Sequence, residues 1–159
     1  MSYLTSIKEI LLAWRDERDI KKYQKVADSI EQENDPLKKL ENIVLIELRG
    51  TLLGGMASST AYMEFKRNYF DKITSVDGKE NVKKVLLNIL KSNEYKSSDK
   101  EMVAYACADI VILEAIPEIE NLLRTAKKGS IAEKEFARSL EALRLGKPIY
   151  EYILQGIKA

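Results

Sequence analysis

Apolar residues recur at the spacing of an amphipathic helix along most of this chain. Tyr3, Leu4, Ile7, Ile10, Leu11 and Trp14 fall on one face of a first helix. The next apolar set, Ile20, Tyr23, Ala27 and Ile30, is out of phase with it. The charged run from Arg15 to Asp19 therefore predicts a break or kink, with one bent helix as the alternative. Asn34-Asp35-Pro36 supplies an Asp cap followed by proline at the first helical position. Leu37, Leu40, Ile43, Val44 and Leu48 carry that helix to about Gly50 or Leu53. Small residues crowd Gly50 to Thr60 and predict a loop or helix end, with Ser58 or Ser59 capping a helix to about Ile73. Asp77-Gly78 reads as a turn pair, and Val82, Val85, Leu86, Ile89 and Leu90 make the next apolar face. Ser98-x-x-Glu101 and Ser130-x-x-Glu133 read as capping boxes, and Gly129 and Gly146 sit where helices should close. No segment alternates in the manner of a strand. The expected class is all-α, with seven or eight helices and no sheet.

One passage nearly repeats after 31 residues. Tyr105-Ala106 returns as Phe136-Ala137, Ile112 as Leu143, Pro117 as Pro148, Glu120 as Glu151, and Leu122-Leu123 as Ile153-Leu154. A helix, a tight turn and a proline-started second helix thus occur twice in tandem, the pattern of a stacked helical repeat. Superposition of the two copies should set Pro117 on Pro148 and Leu123 on Leu154.

The stretch from Tyr105 to Pro117, and again from Ala137 to Pro148, resembles HEAT-type repeats of the short phycobilisome-lyase variety. The resemblance covers residues 101–158. It extends more weakly over 60–100, where Leu86, Ile89 and Leu90 can be set against Ile119, Leu122 and Leu123. The implied architecture is a stack of antiparallel helix pairs forming one domain over 1–159, with 1–58 as capping helices and 59–159 as the array. Proteins of this class are mostly binding scaffolds, with some lyases and DNA-repair proteins among them, so the resemblance implies a shape and not an activity.

Composition narrows the chemistry. The 159 residues are 45% apolar and 32% charged, the balance of a globular chain large enough to bury a core. Twenty-six basic and 25 acidic residues give a net charge of +1, which makes no bulk demand for nucleic acid or an anionic membrane. Histidine is absent, so Ser-His-Asp and Cys-His catalysis cannot be assembled and the commonest zinc ligand is missing. One cysteine, Cys107, cannot form an internal disulfide, which fits a reducing compartment. The start, Met1-Ser2-Tyr3-Leu4, lacks a basic leader, and the apolar run Met102 to Ala108 is too short to span a membrane. The expected setting is cytoplasmic, with no cofactor and no metal.

Gly50 and Gly55 have the glycine spacing of a phosphate loop, but Met56-Ala57 stands where the lysine and hydroxyl belong. Cys107, flanked by Ala104, Ala106 and Ala108, reads as a small core hydrophobe. Asp109 and Glu114 interrupt the apolar stretch Met102 to Ile116 and read as caps or salt-bridge partners before perturbed acids. The basic doublets, such as Lys38-Lys39 and Lys83-Lys84, lie near acids and read as a mixed solvated face.

These readings lead to a non-catalytic protein-binding module. Such a module could be a stoichiometric inhibitor, for instance an immunity protein against a toxin, or an adaptor. The alternative is a nucleic-acid-binding repeat protein, and the third reading a lyase-like enzyme. In the second helices the expected core is Leu86, Ile89, Leu90, Ile119, Leu122, Leu123, Tyr150, Ile153 and Leu154. The open side is then Asn88 and Lys91, Asn121 and Arg124, Tyr152 and Gln155. Each pair is spaced three apart, so its members share a helical face, and together the pairs form one polar partner-binding stripe.

Overall fold

Side-chain caps and prolines fix where the helices begin. The computed structural model describes residues 28–53 and 70–157, and among these every regular element is helical. Asp35 opens α1 (Pro36–Leu53): its Oδ1 accepts the N–H of Leu37 at 2.9 Å and of Lys38 at 3.3 Å. Ser75 opens α2 (Val76–Lys91) by accepting the N–H of Gly78. The expected turn at Asp77-Gly78 is instead the first turn of this helix. Asp77 there complements the helix dipole, and Gly78 is buried. Ser130 opens α5 (Ile131–Arg144), accepting from the N–H of Glu133, whose carboxylate in turn accepts from the N–H of Gly129. Between them lie α3 (Ser97–Asp109), a 3-10 turn at Leu113–Ala115, and α4 (Ile116–Thr125). The last helix is α6 (Ile149–Ile157).

The capping box expected from Ser98 and Glu101 does not form. Lys96 occupies the N-cap of α3, without a side-chain bond, and Ser97 is the residue that bonds Glu101, Oγ to Oε1 at 3.0 Å. The helix starts two residues early, so Ser97 and Glu101 become helical positions one turn apart. The two helices expected over residues 3–30, and the helix capped by Ser58 or Ser59, lie outside the described residues except for their ends. Those ends are a helical turn at 28–31 holding the buried Ile30, and a turn at the buried Phe70.

The chain divides into two compact units, Met1–Ile43 and Val44–Ala159, the boundary falling within α1. In the first, Lys38 pairs with the buried Glu41 at 3.0 Å, and the Nζ of Lys39 donates to the carbonyl of Glu31. The second is organised around α3, which packs against α2, α5, α6 and the 3-10 turn. From Asp99 to Asp109 every residue of α3 except Glu101 is buried. A helix buried on all sides needs small residues where its neighbours come close, and Ala104, Ala106, Cys107 and Ala108 supply them. Phe136, Leu140 and Leu143 of α5, Ile119 of α4 and Ile149 of α6 are buried likewise.

The helices α3 and α5 close alike, and the segments that follow them then diverge. After α3 the N–H of Ile112 returns to the carbonyl of Cys107 at 2.8 Å; after α5 the N–H of Lys147 returns to Ala142 at 3.2 Å. Both are six-to-one closures over a left-handed residue. That residue is Gly146 (φ 63°) after α5, but Val111 (φ 58°) after α3. After Val111 the 3-10 turn intervenes before α4; after Gly146 only Lys147 and Pro148 precede α6. The 31-residue register therefore aligns neither the ends of α3 and α5 nor the starts of α4 and α6: Ile112 lies beyond α3 while Leu143 lies inside α5, and Pro117 is the second residue of α4 while Pro148 precedes α6. Of the expected core positions, Leu154 departs most. It is 53% exposed, because α6 is buried through Ile149 at its start and loses cover toward its end.

A side chain in the left-handed region costs about 1–2 kcal/mol of backbone strain. A Cβ added at Gly146 meets nothing within 4 Å, so Gly146→Ala should lose about 1 kcal/mol in urea denaturation from strain alone. At position 111 the order should favour glycine: Val111→Gly should be more stable than Val111→Ala by about 1 kcal/mol, the preference of a left-handed site.

Candidate functional site

The solvent side of α5 is tied to both of its surface neighbours. Arg144, in the last turn of α5, meets Glu120 of α4 at 2.7 Å. One turn earlier Glu141 accepts the hydroxyl of Tyr152 of α6 at 2.6 Å. Arg138 pairs with Glu135 along the same helix at 3.2 Å, and Arg124 donates to Asn121 within α4 at 3.3 Å. Exposed pairs of this kind add little stability. Their effect is to hold long side chains from three helices in set conformations. The hydrogen bond to Glu141, reinforced by partial burial and the charge of that carboxylate, keeps the Tyr152 hydroxyl protonated above the usual tyrosine range.

Asn88, Lys91, Asn121, Arg124 and Gln155 are exposed and Tyr152 is half-buried. The packing relates their helices differently from a simple row. Both α4 and α6 pack against α5, and among the described residues they make no extensive contact with each other. The path from Asn121 and Arg124 to Tyr152 and Gln155 therefore runs over α5, through Glu141 and Arg144. Asn88 and Lys91 sit on α2, which packs against α4 and α3. Glu120, Glu141 and Arg144 were missed by the stripe. A signal for the last two existed, since they are spaced three apart among the apolar Leu140, Ala142 and Leu143 and so had to face water.

No known protein family, curated protein or solved structure matches this chain.

Two acids drawn from one apolar stretch have opposite settings. Asp109 is fully buried in the last turn of α3, while Glu114 is exposed on the 3-10 turn. Tyr105, one turn before Asp109, is buried too. The charge of Asp109 reaches the hydroxyl of Tyr150, which is raised above its ordinary pKa chiefly by its hydrogen bond to Glu151 and then by burial. Cys107 is a buried free thiol whose pKa burial pushes well above the ordinary range, so it behaves as a hydrophobe and not a nucleophile. Ser139, on the buried side of α5, has no hydrogen-bond partner for its hydroxyl among the described residues. Among those residues no group of three or more acidic or cysteine side chains could hold a metal ion, and no helix is long and apolar enough to cross a membrane.

The acid with a raised pKa is Glu47 on α1, which the sequence reading overlooked although it interrupts the apolar run Ile43 to Leu48 just as Asp109 interrupts its own. Burial raises its pKa from 4.5 to about 7, partly offset by the charge of Lys72.

Glu47 binds its proton more tightly folded than unfolded, so between about pH 4.5 and 7 the native state carries more protons. Its contribution should make the protein less stable as pH rises through that window. Urea denaturation at pH 4.5, 6 and 8 should show Glu47→Gln gaining stability relative to wild type with rising pH, with no further gain above pH 8. Separately, Ser139→Ala removes an unsatisfied buried hydroxyl and should hold or raise stability, by up to about 1 kcal/mol.

Proposed function

We propose that this chain is a non-catalytic protein-binding module built of HEAT-like helix pairs and acting in the cytoplasm. A stoichiometric inhibitor of the toxin-immunity type, or an adaptor, is the role that fits such a module. The observation carrying this reading is the polar surface spread over α4, α5 and α6. Arg144 to Glu120 and Tyr152 to Glu141 fasten neighbouring helices at that surface. Side chains already held by such contacts lose less conformational freedom when a partner arrives. Arginine and tyrosine are also the residue types that most often anchor protein interfaces. Leu145 at the end of α5 and Leu154 on α6 are more than half exposed and add apolar area on the same helices.

The test joins capture to mutation. Asn121→Ala, Arg124→Ala and Tyr152→Ala combined should leave the helical circular dichroism intact. The first two are exposed changes of less than about 0.5 kcal/mol each, and loss of the half-buried Tyr152 with its bond to Glu141 should cost about 1–2 kcal/mol. The combined variant should retain much less of whatever protein the wild-type chain captures stoichiometrically from its native lysate. Equal retention by wild type and variant would remove this surface from the reading. A wild-type chain that captures no stoichiometric protein would remove the reading itself.

A further inference from the structure

A cleft of about 250 Å³ opens where the start of α3 meets the end of α4 and the buried side of α5. Its one charged lining residue is Lys100, and no acid lines it. Lys100 is only 8% exposed, and its N–H donates to the carbonyl of Lys96. Yet among the described residues its Nζ has no hydrogen-bond or ion-pair partner and keeps only a small opening to water. Lysine is seldom buried to this degree without a partner. Side chains on a helix lean toward its N-terminus, so the stem of Lys100 runs back over the first turn of α3. That first turn is itself open. Lys96 provides no side-chain cap, and the N–H groups of Ser97 and Ser98 have no acceptor among the described residues. An ammonium carried on a buried stem and a helix N-terminus with open donors thus converge on one cleft.

The rest of the lining narrows the ligand. Leu122, Ala126 and Phe136 form an apolar wall, while Asn93, Tyr95 and Thr125 add neutral polar groups. The end of α4 also reaches the cleft, but the hydroxyl of Thr125 donates to the carbonyls of Asn121 and Leu122, which mutes its negative pole. Two carboxylates lie near the first turn but outside the lining: Glu101, which accepts the hydroxyl of the lining Ser97, and the buried Asp99. One ammonium with two backbone donors balances a single negative charge, and the apolar wall accepts a short hydrocarbon body. We propose that this cleft binds a small organic monocarboxylate, with its carboxylate between Lys100 and the first turn of α3 and its chain against Leu122 and Phe136. The site is independent of the polar surface over α4, α5 and α6.

The test titrates the full chain, at constant ionic strength, with butyrate, uncharged butyramide and inorganic phosphate while recording backbone amide shifts by NMR. Butyrate should give saturable shifts centred on Ser97 to Lys100, with butyramide at least tenfold weaker. Lys100→Met, which keeps the stem's volume, should weaken butyrate at least tenfold. Ser97→Pro removes one N–H at a position where proline suits a helix start, and Lys96 already has the φ of −69° and ψ of 157° that a residue before proline adopts. It should weaken butyrate severalfold while the fold is kept, so loss of binding there cannot be attributed to unfolding. Phosphate binding more tightly than butyrate would overturn the monocarboxylate assignment. Equal affinity in Lys100→Met, or no saturable shift with butyrate, would overturn the site, leaving Lys100 as a complement to the end of α4.

Discussion

The helices from Val76 to Ile157 depend on one constraint: α3 has almost no face turned to water. A helix enclosed on every side must be apolar around its circumference and slim enough for several neighbours to reach it. The run Met102 to Ala108 meets both demands, with alanines and Cys107 between the larger Met102, Val103 and Tyr105. The neighbours need only one apolar face each, and α2 and α5 have that pattern. The sulfur of Cys107 loses its chemistry to the same enclosure, since burial disfavours the thiolate.

Enclosure drives polar chemistry to the ends of α3. Asp109 closes its C-terminal end, fully buried and felt by Tyr150 of α6. A carboxylate at a helix C-terminus opposes the dipole, so its place is set by tertiary surroundings and not by helix preference. At the other end Lys100 is buried beside a first turn left open by the missing side-chain cap. A positive side chain and unsatisfied N–H groups both favour an anion at that end. The strained turn after α3 belongs to the same picture. Val111 takes a conformation that glycine holds at the corresponding place after α5, and the 3-10 turn that follows carries the chain to α4 by a longer route.

The surface has a different logic. There α5 is the shared neighbour of α4 and α6, and its exposed acids and arginines bond outward to both. The row of six polar residues inferred from repeat spacing presumed that second helices lie side by side. The residues do sit near water, as helical periodicity required. Their arrangement follows instead from α4 and α6 both docking on α5, a fact of packing that spacing along the chain cannot express.

Local physics was legible in the residues themselves. Three-and-four spacing identified the helical class, Asp35 and Ser130 marked two helix starts through short-range hydrogen bonds, and Pro117 and Pro148 marked two more. Cys107 among alanines announced its own burial. Each of these rests on interactions within about one helical turn, which sequence order determines. Where competing local signals overlapped, neighbours arbitrated: Ser75 made Asp77-Gly78 a first helical turn, and Lys96 displaced the box expected at Ser98. The burial of Glu47 and Lys100, the exposure of Leu154 and the meeting of α4 with α5 around a cleft were decided by tertiary structure alone. Solvent access depends on which elements arrive from distant parts of the chain, and the charge state and partners of a side chain follow from that access.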